Sequence, residues 1–286
     1  MSRTLQFFNE LHHHAPMLMG IINVTPDSFS DGGQYNQAAA AISHGEALLA
    51  EGAQILDIGG ESTRPGAVPV TPEAEQSRVL PVIAGLRDKA RVAGAYISID
   101  TRHASTMEAA CDAGADIIND VTALTGDTDS LEVAARHDGP VILMHMQGEP
   151  QSMQHNPHYD DVVADIRTAL QGRLDACVAA GIKRERLVVD PGIGFGKTLT
   201  HNLMVLKHLK AFTDLGVPIL LGVSRKSFIA KLDRDAPTDQ RLGGSLAAAL
   251  WGVEQGVSIL RVHDVAATRQ ALRVQRAINQ AGERLP

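Results

Sequence analysis

Eight short apolar segments alternate with longer segments of helical periodicity, and this alternation limits the possible folds more than any other feature of the sequence. The apolar segments are Met17–Ile22, Ile55–Ile58, Tyr96–Ile99, Asp116–Ile118, Val141–Met144, Leu187–Val189, Pro218–Leu221 and Ser258–Val262. They are short and rich in Ile and Val, as expected for strands that are buried on both faces. The pattern therefore predicts eight strands of a parallel sheet.

Helical patterns fill the intervals between these segments. They are Gln37–Glu51, Thr71–Ala90, Ala104–Ala113, Thr128–His137, Asp160–Ala180, Thr200–Phe212, Gln240–Glu254 and Val265–Ala281. Thr71 and Pro72 are typical of a helix start, and Gly52 is typical of the residue just after a helix end. A strand followed by a helix, eight times over, favours parallel strands joined by right-handed crossovers.

Two architectures accommodate this pattern, and we favour a closed (β/α)₈ barrel, the TIM barrel, formed as one domain over residues 1–286. Two ordinary domains would also fit 286 residues, but no low-complexity linker divides the chain. The rival is an open, doubly wound sheet, whose first strand usually leads into a glycine-rich phosphate turn. Here the first strand leads into Asn23-Val24-Thr25-Pro26-Asp27 instead. The long irregular stretches Asn23–Asn36, Gly59–Val70 and Met146–His158 all follow strands, so a barrel would place them on its C-terminal face.

Composition and charge exclude several classes of protein. Aromatic residues make up only 3% of the chain, so the core must consist mainly of Leu, Ile, Val and Ala. A net charge of −7 argues against a general nucleic-acid-binding protein. No apolar run approaches the length of a membrane span, and the N-terminus lacks the apolar region of a signal peptide.

The cysteines and the N-terminal histidines give weaker signals. Cys111 and Cys177 are far apart in helical segments and do not form a disulfide framework. This favours a protein that resides in the reducing cytoplasm. His12, His13 and His14 could bind a metal, but no Asp, Glu or Cys lies nearby at ligand spacing. We therefore interpret this run as a solvated loop.

Polar residues at the strand ends carry the functional signal. Asp100, Asn119 and Asp190 each close a strand, and inward-facing strand ends converge at the mouth of a barrel. Carboxylates and an amide suit a planar ligand with several N–H groups and acceptors, because an Asp can accept two parallel hydrogen bonds. Alternatively, Asp190 could cap the following turn and Asn119 could satisfy backbone groups. Lys226 could donate to the same ligand, unless it is an ordinary surface lysine.

A second group depends on closure of the barrel. Asn23 follows the first strand, whereas Arg261 and His263 belong to the eighth, and these strands are neighbours only in a closed barrel. Arg and His donate to phosphate oxygens, and an Asn amide oxygen suits Mg²⁺ bound to a diphosphate. Ser227 stands where a helix should begin, so its hydroxyl and the free N–H groups there could bind an anion.

The segment Gly192–Thr198 resembles a nucleotide-binding loop, since it reads Gly-x-Gly-x-Gly-Lys-Thr. Its spacing is not that of Gly-x₄-Gly-Lys-Thr, because position 191 is Pro. We therefore interpret the glycines as positions where the backbone can approach a flat ring closely, not as part of a nucleotide-binding loop.

Eight motifs together resemble bacterial dihydropteroate synthases. They are MGIINVTPDSFSDGG, LDIGGESTRPGA, SIDT, IINDV, LMHMQG, VVDPGIGFGK, GVSRKS and RVHDV, and they span residues 19–264 in the family's order. The resemblance implies a transferase of folate biosynthesis. Such an enzyme joins (7,8-dihydropterin-6-yl)methyl diphosphate to 4-aminobenzoate and releases diphosphate.

The resemblance also implies roles for individual residues. The implied pterin site consists of Asp100, Asn119, Val121, Met144, Asp190, Phe195 and Lys226. The implied diphosphate site consists of Asn23, Arg261 and His263, with Mg²⁺ on Asn23. The implied aminobenzoate site consists of Phe29, Ser62, Thr63, Pro65 and Ser227. Asp31 and Arg64 would pair across two loops to seal the site, and with Asp100 and Lys226 they would form the catalytic set. The aminobenzoate site is also the sulfonamide pocket of the family, and the family suggests a homodimer formed through helices near the end of the chain.

The expected reaction is dissociative, with Asp100 stabilising the pterin cation while the loops exclude water. Two alternatives remain open. A pterin-dependent methyltransferase barrel would share the Asp/Asn/Asp pterin set, but it has no use for a diphosphate site or an aminobenzoate loop, so Arg64, Lys226, Arg261 and His263 argue against it. A catalytically silent barrel that binds pterin or stabilises a partner protein is the other.

Overall fold

Eight parallel strands and ten α-helices make up the described part of the chain. The structure, a computed structural model, describes residues 2–13, 16–25, 34–62, 66–149 and 151–282, without the side chains of 12, 13 and 34–36. The strands are β1 Met17–Asn23, β2 Ile55–Gly59, β3 Tyr96–Asp100, β4 Ile117–Asp120, β5 Val141–Met144, β6 Leu187–Asp190, β7 Leu220–Gly222 and β8 Ile259–Val262. All eight predicted strands are confirmed, with ends that differ by one or two residues.

The sheet is a nearly closed barrel and not an open, doubly wound sheet. The strand order is β6-β5-β4-β3-β2-β1-β8-β7, so the first and eighth strands are hydrogen-bonded neighbours, with Met19 opposite Arg261. The ring closes between β6 and β7, where an isolated bridge joins Val189 to Ile219 and the Val189 N–H donates to the Pro218 carbonyl at 3.0 Å. This seam between β6 and β7 is the most weakly paired junction of the barrel.

The eight helices predicted from the sequence are confirmed in their order, and the structure adds an N-terminal helix and a short helix that begins at Ser227. The helices are α1 Arg3–His13, α2 Gln34–Glu51, α3 Pro72–Val92, α4 Ala104–Ala113, α5 Ser130–Arg136, α6 Val162–Ala179, α7 Leu199–Lys207, α8 Ser227–Leu232, α9 Leu242–Glu254 and α10 Val265–Asn279. The predicted start of α3 is confirmed, since the Thr71 hydroxyl accepts from the Ala74 N–H at 3.3 Å. The predicted helix Thr200–Phe212 is shorter than expected, because α7 ends at Lys207 and a 3₁₀ helix, Leu209–Leu215, follows. Among the described residues, no helix has the length and apolar character needed to cross a bilayer.

The N-terminal helix α1 corrects the expectation of a solvated loop at the histidine run. The backbone of His12 and His13 belongs to this helix, while His14 lies outside the described residues. The helix forms because Phe7 and Phe8 are buried against the N-terminal end of the barrel, where the Phe7 ring meets Tyr96 edge-to-face at 5.1 Å between centroids. An ion pair between Arg3 and Asp116, at 2.6 Å, fixes its first turn.

Alternation along the strands divides the barrel interior into an apolar floor and a polar mouth. Successive strand residues point to opposite faces, so residues two apart share the interior. The floor consists of Met17, Met19, Ile55, Tyr96, Ile117, Ile142, Val188, Leu220 and Ile259. The inward positions nearer the C-terminal ends include Asp57, Ser98, Asp100, Asn119, Met144, Asp190, Arg261 and, at the tip of β1, Asn23. Period-two geometry therefore gathers polar side chains at one end of the barrel.

Candidate active site

A buried arginine links two carboxylates at the centre of the polar mouth. The Arg261 Nε donates to Asp57 Oδ2 at 2.6 Å, and Nη2 donates to Asp100 Oδ2 at 2.7 Å. Asp57 is completely buried, and Asn119 Nδ2 lies 3.3 and 3.4 Å from its two carboxylate oxygens. These charge-assisted hydrogen bonds join strands β2, β3, β4 and β8 into one network.

The position of Arg261 changes the predicted division of the site. The sequence places Arg261 with Asn23 and His263 in a diphosphate set, apart from Asp100 and Asn119. In the structure its guanidinium contacts the first set directly, so the two groups share Arg261.

The electrostatics of this network follow from burial and from neighbouring charges. Burial is the largest influence on Asp100 and raises its pKa, the nearby carboxylate of Asp57 raises it further, and Arg261 opposes the shift. Burial alone would lower the pKa of Arg261, but Asp57 and Asp100 outweigh burial and raise it. Because these side chains are buried close together, a ligand charge added at the mouth would strongly change their pKa values.

Asp190, Phe195 and Lys226 form the opposite wall of the mouth, beside the seam. Asp190 is 6% exposed and accepts from the Gly192 N–H at 2.7 Å, so it does cap the following turn through one of its oxygens. Burial raises the pKa of Asp190 to about 6. Lys226 is partly buried with its Nζ 4.1 Å from the centre of the Phe195 ring, a cation–π contact, so it is not a surface lysine. Burial, followed by the charge of Arg261, lowers the pKa of Lys226 to about 8.

Apolar side chains complete this part of the mouth. Val121, just after β4, is 6% exposed, and Met144, at the end of β5, is 5% exposed. Met144 lies opposite Asp190 in the register of β5 and β6. A flat ligand between these residues would find polar edges and apolar faces, as ligand pockets commonly provide.

Asn23 and His263 lie at the tips of neighbouring strands, as barrel closure requires. Asn23 is partly buried and pairs in register with Gly59 of β2. The Ser224 hydroxyl accepts from the His263 backbone N–H at 3.1 Å and lies 3.0 Å from the ring Nδ1. The Ser224 hydroxyl can donate its own proton to Nδ1, and in that arrangement the ring proton of His263 lies on Nε2. Burial and Arg261 lower the pKa of His263 to about 4, so this ring is neutral at pH 7.

Several residues hold the segment between β7 and α8, which carries Lys226 and Ser227. Arg225 adopts a left-handed conformation, φ 57°, which is strained for a residue with a side chain. Its backbone N–H donates to Ser245 Oγ at 2.8 Å, and its guanidinium Nε donates to Asp264 at 2.9 Å. Ser227 is exposed and begins α8, as predicted.

The predicted loop residues are only partly described. Phe29, Asp31, Thr63, Arg64 and Pro65 lie outside the described residues. Ser62 is described, and it is partly buried directly after Glu61.

The base of the loop that carries Ser62 is fixed by Glu61. The Glu61 carboxylate pairs with Arg102 through two hydrogen bonds of 2.9 Å and also accepts from the Val70 N–H at 3.1 Å. Glu61 therefore joins the two ends of the segment 61–70 and ties them to the residues after β3.

Comparison with known proteins identifies the family. The model of the family described as pterin binding enzyme matches residues 19–263. A dihydropteroate synthase of Neisseria meningitidis serogroup B is 51% identical over 269 residues, which cover 92% of this chain and 93% of that protein. The chain belongs to the dihydropteroate synthase family.

Solved structures of the family have the same fold. A Xanthomonas albilineans dihydropteroate synthase with 4-aminobenzoic acid superposes with a TM-score of 0.87 at 48% identity, covering 95% of this chain and 94% of that one. The Xanthomonas albilineans enzyme in complex with 7,8-dihydropteroate gives a TM-score of 0.83 at 46% identity and covers 95% of both chains. The strand order of this family member and its similarity to solved relatives therefore both establish the (β/α)₈ architecture.

Asp57, the carboxylate that anchors Arg261, was not predicted from the sequence. The signal was present, because Asp57 is a charged residue inside the apolar run Ile55–Ile58 and lies two positions from Ile55 and Gly59. With alternation, it had to share the interior with those residues. The predicted site contained polar residues at the ends of strands, and Asp57 was not among them because it lies one layer deeper in the barrel.

A second cluster without a sequence prediction lies behind Asp100. Glu75, on α3, is completely buried; its Oε2 accepts from Thr101 Oγ1 at 2.6 Å and lies 3.0 Å from His103 Nδ1. No sequence motif marks this cluster, since α3 and the segment after β3 are brought together only by the barrel. The contact with Glu75 raises the pKa of His103.

Because of its contact with Glu75, we expect His103 to contribute to stability in a pH-dependent way. A histidine with a raised pKa adds stability that is complete below the unfolded value of about 6.5 and is lost as the pH rises through the folded pKa. We expect Glu75→Gln to lower the free energy of unfolding by about 1–3 kcal/mol at pH 6 and by less at pH 9. Urea unfolding at the two pH values measures this difference.

The exposed pair Glu132–Arg136 offers a matched control for the Glu75 prediction. Glu132→Gln should change stability little at either pH, because exposed ion pairs contribute little. An equal loss at pH 6 and pH 9 for Glu75→Gln would show that protonated His103 is not the stabilised partner.

Proposed function

We propose that this chain condenses (7,8-dihydropterin-6-yl)methyl diphosphate with 4-aminobenzoate and forms 7,8-dihydropteroate and diphosphate. The observation that carries this proposal is the convergence of Asp100, Asn119, Asp190, Lys226 and Arg261 at one mouth of the barrel. Membership of the dihydropteroate synthase family and relatives solved with 4-aminobenzoic acid and 7,8-dihydropteroate support it.

The pterin ring is proposed to bind between the two walls of the mouth. Asp100, Asn119 and Asp190 offer acceptors and an amide to the ring's N–H edges, and Lys226 offers a donor to a ring carbonyl or nitrogen. Val121, Met144 and Phe195 are proposed to cover its faces. The buried or partly buried positions of these residues support this arrangement, because hydrogen bonds to a flat heterocycle discriminate most strongly where water is excluded.

The diphosphate is proposed to bind where β1 and β8 meet. Arg261 supplies a fixed positive charge, and neutral His263 supplies an Nε2–H donor. Asn23 is one partly buried amide at the tip of β1, and this is enough for Mg²⁺, since that ion takes most of its ligands from phosphate oxygens and water. When bound, Mg²⁺ would neutralise charge on the departing diphosphate.

The second substrate is proposed to bind at the outer rim, between the loops after β1 and β2. Phe29, Ser62, Thr63 and Pro65 would surround 4-aminobenzoate, with Ser227 near its carboxylate and Asp31 paired with Arg64 over the site. The attachment of Glu61 to Arg102 and Val70 supports this, because it places Ser62 at the anchored end of the loop.

The proposed mechanism is dissociative. Loss of diphosphate breaks the C–O bond and leaves positive charge spread over the methylene carbon and the pterin ring. Asp100 stabilises this cation, Arg261 and His263 stabilise the departing anion, and closure of the loops keeps water out. The neutral aromatic amine of 4-aminobenzoate then attacks the carbon, and the proton that it loses passes to the released diphosphate. Because the attacking amine is already neutral, no strong base is required.

Measurement of diphosphate release tests the function and separates it from both alternatives. We expect release with both substrates and a large reduction when 4-aminobenzoate is omitted, because the cation then has no productive partner. Substitution of methyltetrahydrofolate for the pterin diphosphate is the control and should give no methyl transfer. Methyl transfer would favour the methyltransferase barrel, and pterin binding without any release would favour a silent barrel.

The remaining expectations are proposals of the same kind. We infer a homodimer through α9 and α10, where Trp251, Val274 and Ile278 are exposed apolar side chains. The free thiols of Cys111 and Cys177 fit a cytoplasmic protein, and the residues 1–286 are proposed to form one domain.

A further inference from the structure

Lys197 is a buried lysine in the turn between β6 and α7, and the proposed chemistry does not use it. It belongs to the segment Gly192–Thr198, whose glycine and lysine pattern resembles a nucleotide-binding loop. Its side chain is only 2% exposed. A lysine is almost never fully buried without a partner, so its surroundings call for an explanation.

The ammonium group of Lys197 is enclosed by the turn itself. Its Nζ donates to the carbonyls of Gly192 at 2.9 Å and Phe195 at 3.0 Å, and it lies 3.1 Å from His145 Nδ1. The His145 carbonyl oxygen, at 3.4 Å, is a fourth acceptor, so partners are present for all three N–H donors of the ammonium group. Burial and the charge of Lys197 lower the pKa of His145 to about 3, so the ring is neutral and can accept.

The same contacts exclude a phosphate-binding role for this lysine. In a nucleotide-binding loop the lysine reaches out of the loop toward phosphate oxygens. Here the ammonium group points inward at backbone carbonyls. Burial lowers the pKa of Lys197 to about 7, and the nearby carboxylate of Asp190 opposes this shift by favouring the ammonium form.

The turn around Lys197 is packed backbone to backbone against the segment after β5. Gly192 and Gly196 have φ of 68° and 61°, and a Cβ at these positions would lie 1.9 Å from the His145 carbonyl oxygen and 2.3 Å from that of Gln147. On the outer side, the Tyr159 hydroxyl donates to the Gly196 carbonyl at 2.8 Å. The turn can therefore shift little while its internal hydrogen bonds persist.

This turn presents two of the residues assigned to the pterin. Asp190 stands at its start, and Phe195 stands within it with Lys226 over its ring at 4.1 Å. The Phe195 carbonyl is itself one of the Lys197 acceptors. A change in the Lys197 contacts would thus move Phe195, and through it Lys226.

We propose that Lys197 is a positioning residue of the pterin site, whose ammonium group holds the turn 190–197 so that Phe195 and Lys226 meet the ring. The proposal rests on the pterin site proposed above. Lys197 does not touch the ring; it acts through Phe195.

The test compares Lys197→Met with Tyr159→Phe. Methionine fills a similar volume without donors, whereas Tyr159→Phe removes one hydrogen bond to the same turn and leaves the ammonium contacts in place. Calorimetry gives the Kd for the dihydropterin diphosphate in the absence of the second substrate. Kinetics at saturating pterin diphosphate give the Michaelis constant for the aminobenzoate substrate.

The two variants should differ clearly in pterin binding. Since three hydrogen bonds to a charged group are lost, we expect Lys197→Met to raise the pterin Kd by about 10- to 100-fold. The Michaelis constant for the aminobenzoate substrate should stay within about twofold, and Tyr159→Phe should raise the pterin Kd by less than about threefold.

Each other outcome overturns the proposal in a recognisable way. An unchanged pterin Kd in folded Lys197→Met would give the lysine a purely structural role, as would an equal rise in the Michaelis constant for the aminobenzoate substrate. An equal effect of Tyr159→Phe would assign the effect to the turn in general. If Lys197→Met does not fold, Lys197→Gln, which keeps two donors, replaces it and should raise the pterin Kd by a smaller factor. Wild-type protein that does not bind the pterin diphosphate would overturn the proposed function itself, which is a distinct result.

Discussion

Asp100→Asn should lower kcat by about 100- to 1,000-fold while raising the Kd for the dihydropterin diphosphate by less than about tenfold. Asparagine keeps an oxygen acceptor for the ring but removes the negative charge. That charge is needed most when diphosphate departs and the pterin becomes cationic, so the loss appears in the transition state. Single-turnover kinetics and equilibrium binding measure the two quantities separately.

Asp57→Asn is the matched control for this prediction. Both carboxylates contact Arg261, at 2.6 Å for Asp57 and 2.7 Å for Asp100, but Asp57 lies one layer deeper in the barrel. We expect the kcat of Asp57→Asn to remain at least about tenfold higher than the kcat of Asp100→Asn. Equal losses in the two variants would mean that Asp100 serves only to hold Arg261, and equal changes in kcat and Kd would remove its proposed effect on the cation.

Removal of Mg²⁺ with a chelator should reduce diphosphate release by at least about 100-fold, and added MgCl₂ should restore it. The charge of the leaving group would otherwise rest on Arg261 and the neutral His263 alone. Because Asn23 is the proposed protein ligand, Asn23→Ala should raise the Mg²⁺ concentration that gives half-maximal activity. A titration of activity against MgCl₂ measures this.

Asn119→Ala provides the comparison for the magnesium prediction. It removes an amide from the pterin set, so it should raise the Michaelis constant for the pterin diphosphate and leave the Mg²⁺ requirement unchanged. Turnover that persists without metal, or an equal shift of the Mg²⁺ requirement in the two variants, would contradict the assignment of Asn23.

The fold could be predicted from the sequence because its signals are local. The eight apolar runs, the start of α3 at Thr71 and the start of α8 at Ser227 are each encoded within a few residues. The N-terminal helix α1 was missed although its sequence is strongly amphipathic, with Phe7, Phe8 and Leu11 at helical spacing on one face. Only the structure shows what this face packs against, which is Tyr96 on β3.

For the site, the sequence could identify polar groups but not the contacts between them. Asp100, Asn119 and Asp190 were identified because each closes a strand, and the burial of Asn119 and Asp190 agrees with that place. The pairing of Arg261 with Asp57 and Asp100 could not be predicted, since β8 is adjacent to β1 only after closure and side-chain length then decides the partner. The enclosure of Lys197 was hidden for a related reason, because three of its acceptors are backbone carbonyls, which have no sequence signature.

The seam between β6 and β7 separates two of the groups proposed to hold the pterin. Asp190 ends β6, and Lys226 follows β7, so each stands on one side of the most weakly paired junction in the barrel. A ring bound to both would link the two sides of this junction through its own hydrogen bonds. The substrate would then reinforce the wall of the barrel where the Val189–Ile219 bridge closes it most weakly.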